Sequence, residues 1–97
     1  MSIAFLDRRV RLAADFLKAK EALLRAYDPQ DAEDKAQRVF YLLYRHPDLT
    51  PNFDYLEWEL CGLLYRKGVS VYRIEAIVMD ARQTAQKARK REEDQAW

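Results

Sequence analysis

Residues 53–67 read FDYLEWELCGLLYRK, and the placement of their apolar side chains decides the fold. At 100° per residue these side chains fall on two sides of a helix rather than one. Phe53, Leu56, Leu60, Leu63 and Leu64 form an aliphatic stripe, while Tyr55, Trp58 and Tyr65 lie roughly opposite. Gly62 sits among the aromatics and Cys61 at their edge. A helix apolar on two sides is expected between neighbours, which makes this segment the expected spine of the molecule. Thr50-Pro51 supplies a capping hydroxyl and a first-turn proline, and Gly68 the left-handed residue that ends the helix. Gly62 costs about 1 kcal/mol relative to alanine, so a neighbouring backbone is expected close to the aromatic side.

The flanking segments read as three more helices. Asp28-Pro29 breaks one helix and opens the next, with Asp31, Glu33 and Asp34 favouring the positive end of its dipole. Ala32, Ala36, Val39, Phe40 and Leu43 make its buried face. Tyr41 projects to the other side, among Asp34, Arg38 and Arg45, as an expected exposed aromatic. The helix stops at His46-Pro47. The first helix, capped by Ser2, carries two stripes. Ile3, Leu6, Val10, Ala13, Leu17 and Leu24 follow near-heptad spacing and form the main one. Phe5, Leu12, Phe16 and Leu23 form the second, roughly 120° away. One stripe suffices to dock on a small core, so the second is the expected surplus, covered by another helix or by a partner.

Ser70 caps the last helix, with Val69 and Ile74 at hydrophobic-staple spacing. Its expected buried stripe is Val71, Ile74, Val78, Ala81, Ala85 and Ala88, with Ile77 at the margin. Glu92, Glu93 and Asp94 oppose the dipole at its C-terminal end, where fraying is expected. The whole reads as one all-α domain, a bundle of four helices near residues 2–27, 29–46, 51–67 and 70–92.

Composition agrees. Ninety-seven residues, 49% hydrophobic and 34% charged, suit a folded globular chain. Two glycines and three prolines are too few for a turn-rich β protein. One cysteine allows no internal disulfide and no cysteine cage. No apolar run reaches 18 residues, and Asp7, Arg8, Arg9 and Arg11 follow Ile3–Leu6 too closely for a signal peptide. A cytoplasmic protein that makes no use of membrane is expected. The formal charge of +1 conceals blocks. Residues 1–27 carry six bases and three acids, 28–59 three bases and eight acids, and 60–91 eight bases and two acids. Such blocks pair elements within the fold or orient an encounter with a charged partner.

Catalysis finds little support. His46 has no evident partner for acid–base work and stands where a cation meets a helix C-terminus. Cys61 has no neighbouring base to lower its pKa. Glu57 and Glu59 diverge on a helix, no Glu-x-x-His pair builds a bundle metal site, and no glycine-rich phosphate loop is present. No catalytic residue, metal, cofactor or small-molecule substrate is assigned.

Leu60–Met79 resembles a helix-turn-helix, with Gly68 in the turn and Ile74 and Val78 placed to pack. The resemblance implies a second helix entering the major groove. Ser70, Tyr72, Arg73 and Ala76 would then face bases, while Arg66, Lys67 and Arg82 would meet phosphates. Arg82, Lys87, Arg89, Lys90 and Arg91 make a run that could track a phosphate backbone. The alternative reading is therefore a DNA-binding regulator using residues 60–82.

Aromatics favour a different class. Eight of the twelve lie between Phe40 and Tyr72, and tyrosine, tryptophan and arginine dominate interface hot spots. Tyr41, Tyr55, Trp58 and Tyr65, with the Phe5–Leu12–Phe16–Leu23 stripe, are the expected protein-binding residues, toward a second copy or another protein. The primary expectation is a non-catalytic interaction protein: a regulator, inhibitor or assembly subunit.

Overall fold

A computed structural model describes residues 3–47, 50 and 52–95, with side chains from Arg8 to Glu93. Four helices make up the fold: α1 (Ile3–Leu24), α2 (Pro29–Arg45), α3 (Phe53–Arg66) and α4 (Val71–Gln95), with no strand among the described residues. The all-α four-helix bundle is thus the observed architecture.

The punctuation expected of α2 is present. The Asp28 carboxylate accepts from the Asp31 N–H at 2.7 Å, and Pro29 occupies the first turn. The turn between α3 and α4 is built as its sequence requires. Gly68 stands at φ +91°, the Val69 N–H reaches back to the Leu64 carbonyl, and the Gly68 N–H to that of Tyr65. This 6→1, 5→2 pattern satisfies the last carbonyls of α3. A side chain at position 68 would also meet Pro29 Cγ at 3.1 Å, so the glycine serves packing as well as backbone. Ser70 Oγ accepts from the Arg73 N–H at 3.2 Å and caps α4.

Other boundaries differ from expectation. α1 ends at Leu24 rather than Tyr27, because Lys67 Nζ donates to the carbonyls of Leu24 at 2.8 Å and Ala26 at 2.9 Å. A cation from the end of α3 thereby serves the negative end of α1. α3 starts at Phe53 behind Asn52, whose φ of 56° lies in the left-handed region. The Thr50 hydroxyl does not cap it but donates to the His46 carbonyl at 2.8 Å. Pro51, expected at the first helical position, lies outside the described residues. α4 runs to Gln95, and Glu92, expected to oppose the dipole, pairs with the buried Arg45 of α2.

The spine is α2, not α3. α2 packs against all three other helices, α4 most extensively, whereas α3 packs on α2 and less on α4 and meets α1 through the Lys20–Glu59 pair. Ala32, Ala36, Val39, Phe40, Leu42, Leu43 and Tyr44 are all buried on it. That arc exceeds half of its circumference in the C-terminal turns. α3 buries only Leu60, Leu63 and Leu64 fully, with Phe53 and Leu56 packed against the core.

The two stripes of α1 are exchanged relative to expectation. Leu23 is fully buried, Ala19 is buried beside it, and Phe16 packs against the core. The expected surplus stripe is therefore the docking stripe. Val10, Leu17 and Leu24, expected to dock, are 67%, 60% and 50% exposed. The Phe5 side chain lies outside the described residues. On α4, Val71 is exposed and Ile77 buried, so the buried stripe is Ile74, Ile77, Ala81 and Ala85. Tyr41 is not an exposed aromatic but half-buried, in a cleft with Arg38 of α2 and Asp80 and Thr84 of α4. The alanines of α4 let it approach α2 closely enough to cover that ring.

Candidate interaction surface

The aromatic side of α3 faces outward. Tyr55, Trp58 and Tyr65 are 58%, 72% and 64% exposed, and the rings of Tyr55 and Trp58 lie 6.0 Å apart at 42°. Gly62 lies in their midst, exposed, and a Cβ built there would meet nothing within 4 Å. The expected neighbouring backbone is absent from this face. Positions 55, 58, 62 and 65 follow the three-and-four spacing of a helix that packs against another helix.

A polar cluster on the inner flank of α3 adds to the burial of Leu60, Leu63 and Leu64 that seats the helix. The Tyr44 hydroxyl of α2 donates to Glu57 Oε2 at 2.5 Å, and Arg82 Nη2 of α4 donates to the same oxygen at 2.8 Å. The Arg82 guanidinium also lies 5.1 Å from the centre of the Tyr44 ring, a cation–π contact. Tyr44 stacks on Phe40 and touches Phe53. Burial pushes the Tyr44 hydroxyl well above its ordinary pKa, and the hydrogen bond to Glu57 adds to this. Burial works to raise the Glu57 carboxyl too, but the hydrogen bonds from Tyr44 and Arg82 and the Arg82 charge outweigh it, leaving it below its ordinary value. Cys61 is half-buried, and burial followed by the Glu57 charge holds its thiol above the ordinary range. That environment disfavours the thiolate a nucleophile needs.

A stability-versus-pH prediction follows from Glu57. Its folded pKa lies below its unfolded value of about 4.3, so its stabilisation is complete above that pH and is lost as pH falls through the folded value. Solvent screening limits the effect to at most about 1 kcal/mol. Chemical denaturation at pH 7 and pH 3 should show the gap between wild type and Glu57→Gln closing on acidification. A gap unchanged with pH would contradict this role.

A second apolar feature adjoins this face. A groove of about 420 Å³ runs between α1 and α3, lined by Leu12, Phe16 and Leu17 of α1, Leu42 of α2, and Tyr55 and Leu56 of α3. Lys20 of α1 and Glu59 of α3 pair at 2.6 Å and join its walls. Of the expected protein-binding residues, Tyr55, Leu12 and Phe16 thus meet at one groove, Trp58 and Tyr65 lie on the adjoining face, and Leu23 and Tyr41 lie elsewhere.

The residues expected to meet nucleic acid are divided. Arg73 Nε pairs with Glu33 Oε1 of α2 at 2.7 Å, Arg82 is held by Glu57, and Lys67 caps α1. Ser70 spends its hydroxyl on the α4 cap. Arg66, Tyr72, Lys87, Arg89, Lys90 and Arg91 are exposed. The stripe of Val10, Leu17 and Leu24 was legible by its heptad spacing but was expected to dock on the core, and it faces outward instead. Among the described residues no three histidine, cysteine or carboxylate side chains gather as metal ligands would, and no helix there is long and apolar enough to cross a membrane. No family model, curated protein or solved structure matches this chain.

Proposed function

We propose that this chain is a non-catalytic interaction protein, a regulator, inhibitor or assembly subunit, whose working surface is the outward aromatic face of α3. The observation that carries the reading is the set of exposed rings at Tyr55, Trp58 and Tyr65 around an open Gly62. Keeping three large aromatics in water and a glycine in mid-helix stabilises nothing in the isolated chain. Both features favour the close approach of another backbone onto flat, rigid contact area. Gly62→Ala separates the two roles. It should raise the stability of the isolated chain by about 1 kcal/mol, read as an upward shift in chemical denaturation, while weakening capture of the partner.

A second reading, as a DNA-binding regulator, draws on the fully formed turn at Gly68 and on exposed Arg66 and Tyr72. It is disfavoured by the internal engagement of Arg73, Lys67 and Arg82. A pull-down from native lysate, with and without nuclease, compares wild type with Trp58→Ser. Nuclease-resistant capture lost in Trp58→Ser is expected. Capture abolished by nuclease and indifferent to Trp58 would overturn the protein-binding reading.

A further inference from the structure

The outward face of α3 is its own complement. Leu60 is fully buried, and at 100° per residue the direction opposite its side chain is the midline of the exposed face. A twofold axis along that midline turns α3 end for end and keeps its centre at position 60. Residues equally distant from that centre then meet across the axis: Tyr55 with Tyr65, Trp58 with Gly62, and Asp54 with Arg66. All of these are exposed. At 1.5 Å of rise per residue, positions 58 and 62 lie about 3 Å from the axis and 54 and 66 about 9 Å. The indole and the glycine are therefore central and the charges peripheral, the usual order of a specific interface.

Each pairing is chemically matched. A Cβ built on Gly62 would meet nothing within 4 Å, so the backbone there is bare and open. A tryptophan ring set on that bare backbone is a knob in a hole, and the symmetry makes the contact twice. Tyr55 against Tyr65 adds an aromatic pair on each side, and the Tyr55 ring already lies 6.0 Å from that of Trp58, so the rings present one surface. Asp54 stands in the first turn of α3 and Arg66 in the last. Neither joins an ion pair among the described residues. Antiparallel association sets each against the opposite sign and aligns the two helix dipoles favourably. Parallel association would set aspartate against aspartate, arginine against arginine, and glycine against glycine with no ring to fill the gap.

We infer that the outward face of α3 receives the same face of a second copy of the chain, antiparallel about a twofold axis at position 60, with Trp58 of each copy seated on Gly62 of the other. This rests on the protein-binding reading above and names the partner. Any other protein requires only an aromatic surface, whereas three matched pairs about one centre are required by a second copy alone. Such an interface is isologous and closes at two copies. One helix of 14 residues from each copy makes a contact at the small end of the specific range, so dimer and monomer exchange with concentration.

Sedimentation velocity of the full chain from about 5 to about 500 μM should show monomer giving way to dimer, with no larger species. In the Trp97→Phe background, Trp58 emission should shift to the blue over the same range. Gly62→Ala, which adds a methyl where the indole seats, and Trp58→Ser should each weaken the dimer about tenfold or more, with thermal melts confirming the fold of both. Asp54→Lys and Arg66→Glu should each weaken it about fivefold, because each sets like charges together twice. The two charge reversals combined should restore it, which general apolar adhesion would not do. Monomer throughout the range, a dimer indifferent to Trp58 and Gly62, assembly beyond two copies, or a double reversal no better than the single ones would overturn the proposal. Monomer alongside nuclease-resistant, Trp58-dependent capture of a different protein from lysate would overturn the second copy and leave the broader reading standing. Monomer together with capture that nuclease abolishes would overturn both.

Discussion

Phe40→Ala is expected to cost about 3–5 kcal/mol, measured by denaturant titration. Phe40 is fully buried on the helix that touches all three others, and its ring stacks on Tyr44 at 6.0 Å. The cavity opens where the layers meet, and neighbours held by their own contacts cannot collapse into it. Against a total of about 5–15 kcal/mol for a chain of this length, such a loss leaves the fold marginal. Trp58→Ala on α3 removes a larger side chain, yet should change stability by no more than about 0.5 kcal/mol, because the ring is mostly in water. Comparable costs at the two positions would restore α3 as the spine.

The second large effect separates the stripes of α1. Leu23→Glu should unfold the chain, at a cost above about 3 kcal/mol, because it buries a charge without a partner. Leu17→Glu, six residues away on the outward stripe, should leave the far-ultraviolet circular dichroism and the melting curve nearly unchanged. If Leu17→Glu unfolded the chain and Leu23→Glu did not, the orientation of α1 would be reversed.

Local chemistry was legible in the sequence where one or two residues decide it. Asp28-Pro29 opens α2, Gly68 ends α3 and Ser70 caps α4, because each acts through hydrogen bonds to the backbone within five residues. The four-helix architecture followed from those punctuation marks and from helical periodicity. What periodicity cannot supply is direction. α1 has two apolar stripes, and the choice between Leu17 and Leu23 depends on what α2 presents, not on α1 itself. The two-sided pattern of α3 was read as burial on both sides, when one side is core and the other surface. The end of α1 depends on Lys67, more than forty residues away, reaching the Leu24 carbonyl. Of the candidate surface, Tyr55, Trp58 and Tyr65 were legible as a group. The groove was not, because it exists only once α1 and α3 flank α2.

The claim on which all of this depends is that the aromatic side of α3 faces solvent in the isolated chain. Trp58 reports on it directly once Trp97 is replaced by phenylalanine to leave a single indole. The emission maximum of that variant, with its acrylamide quenching, is the deciding measurement. Emission close to that of free indole in water, quenched readily, is the predicted result. Blue-shifted emission protected from acrylamide in the monomeric chain would place Trp58 in a core and contradict the account.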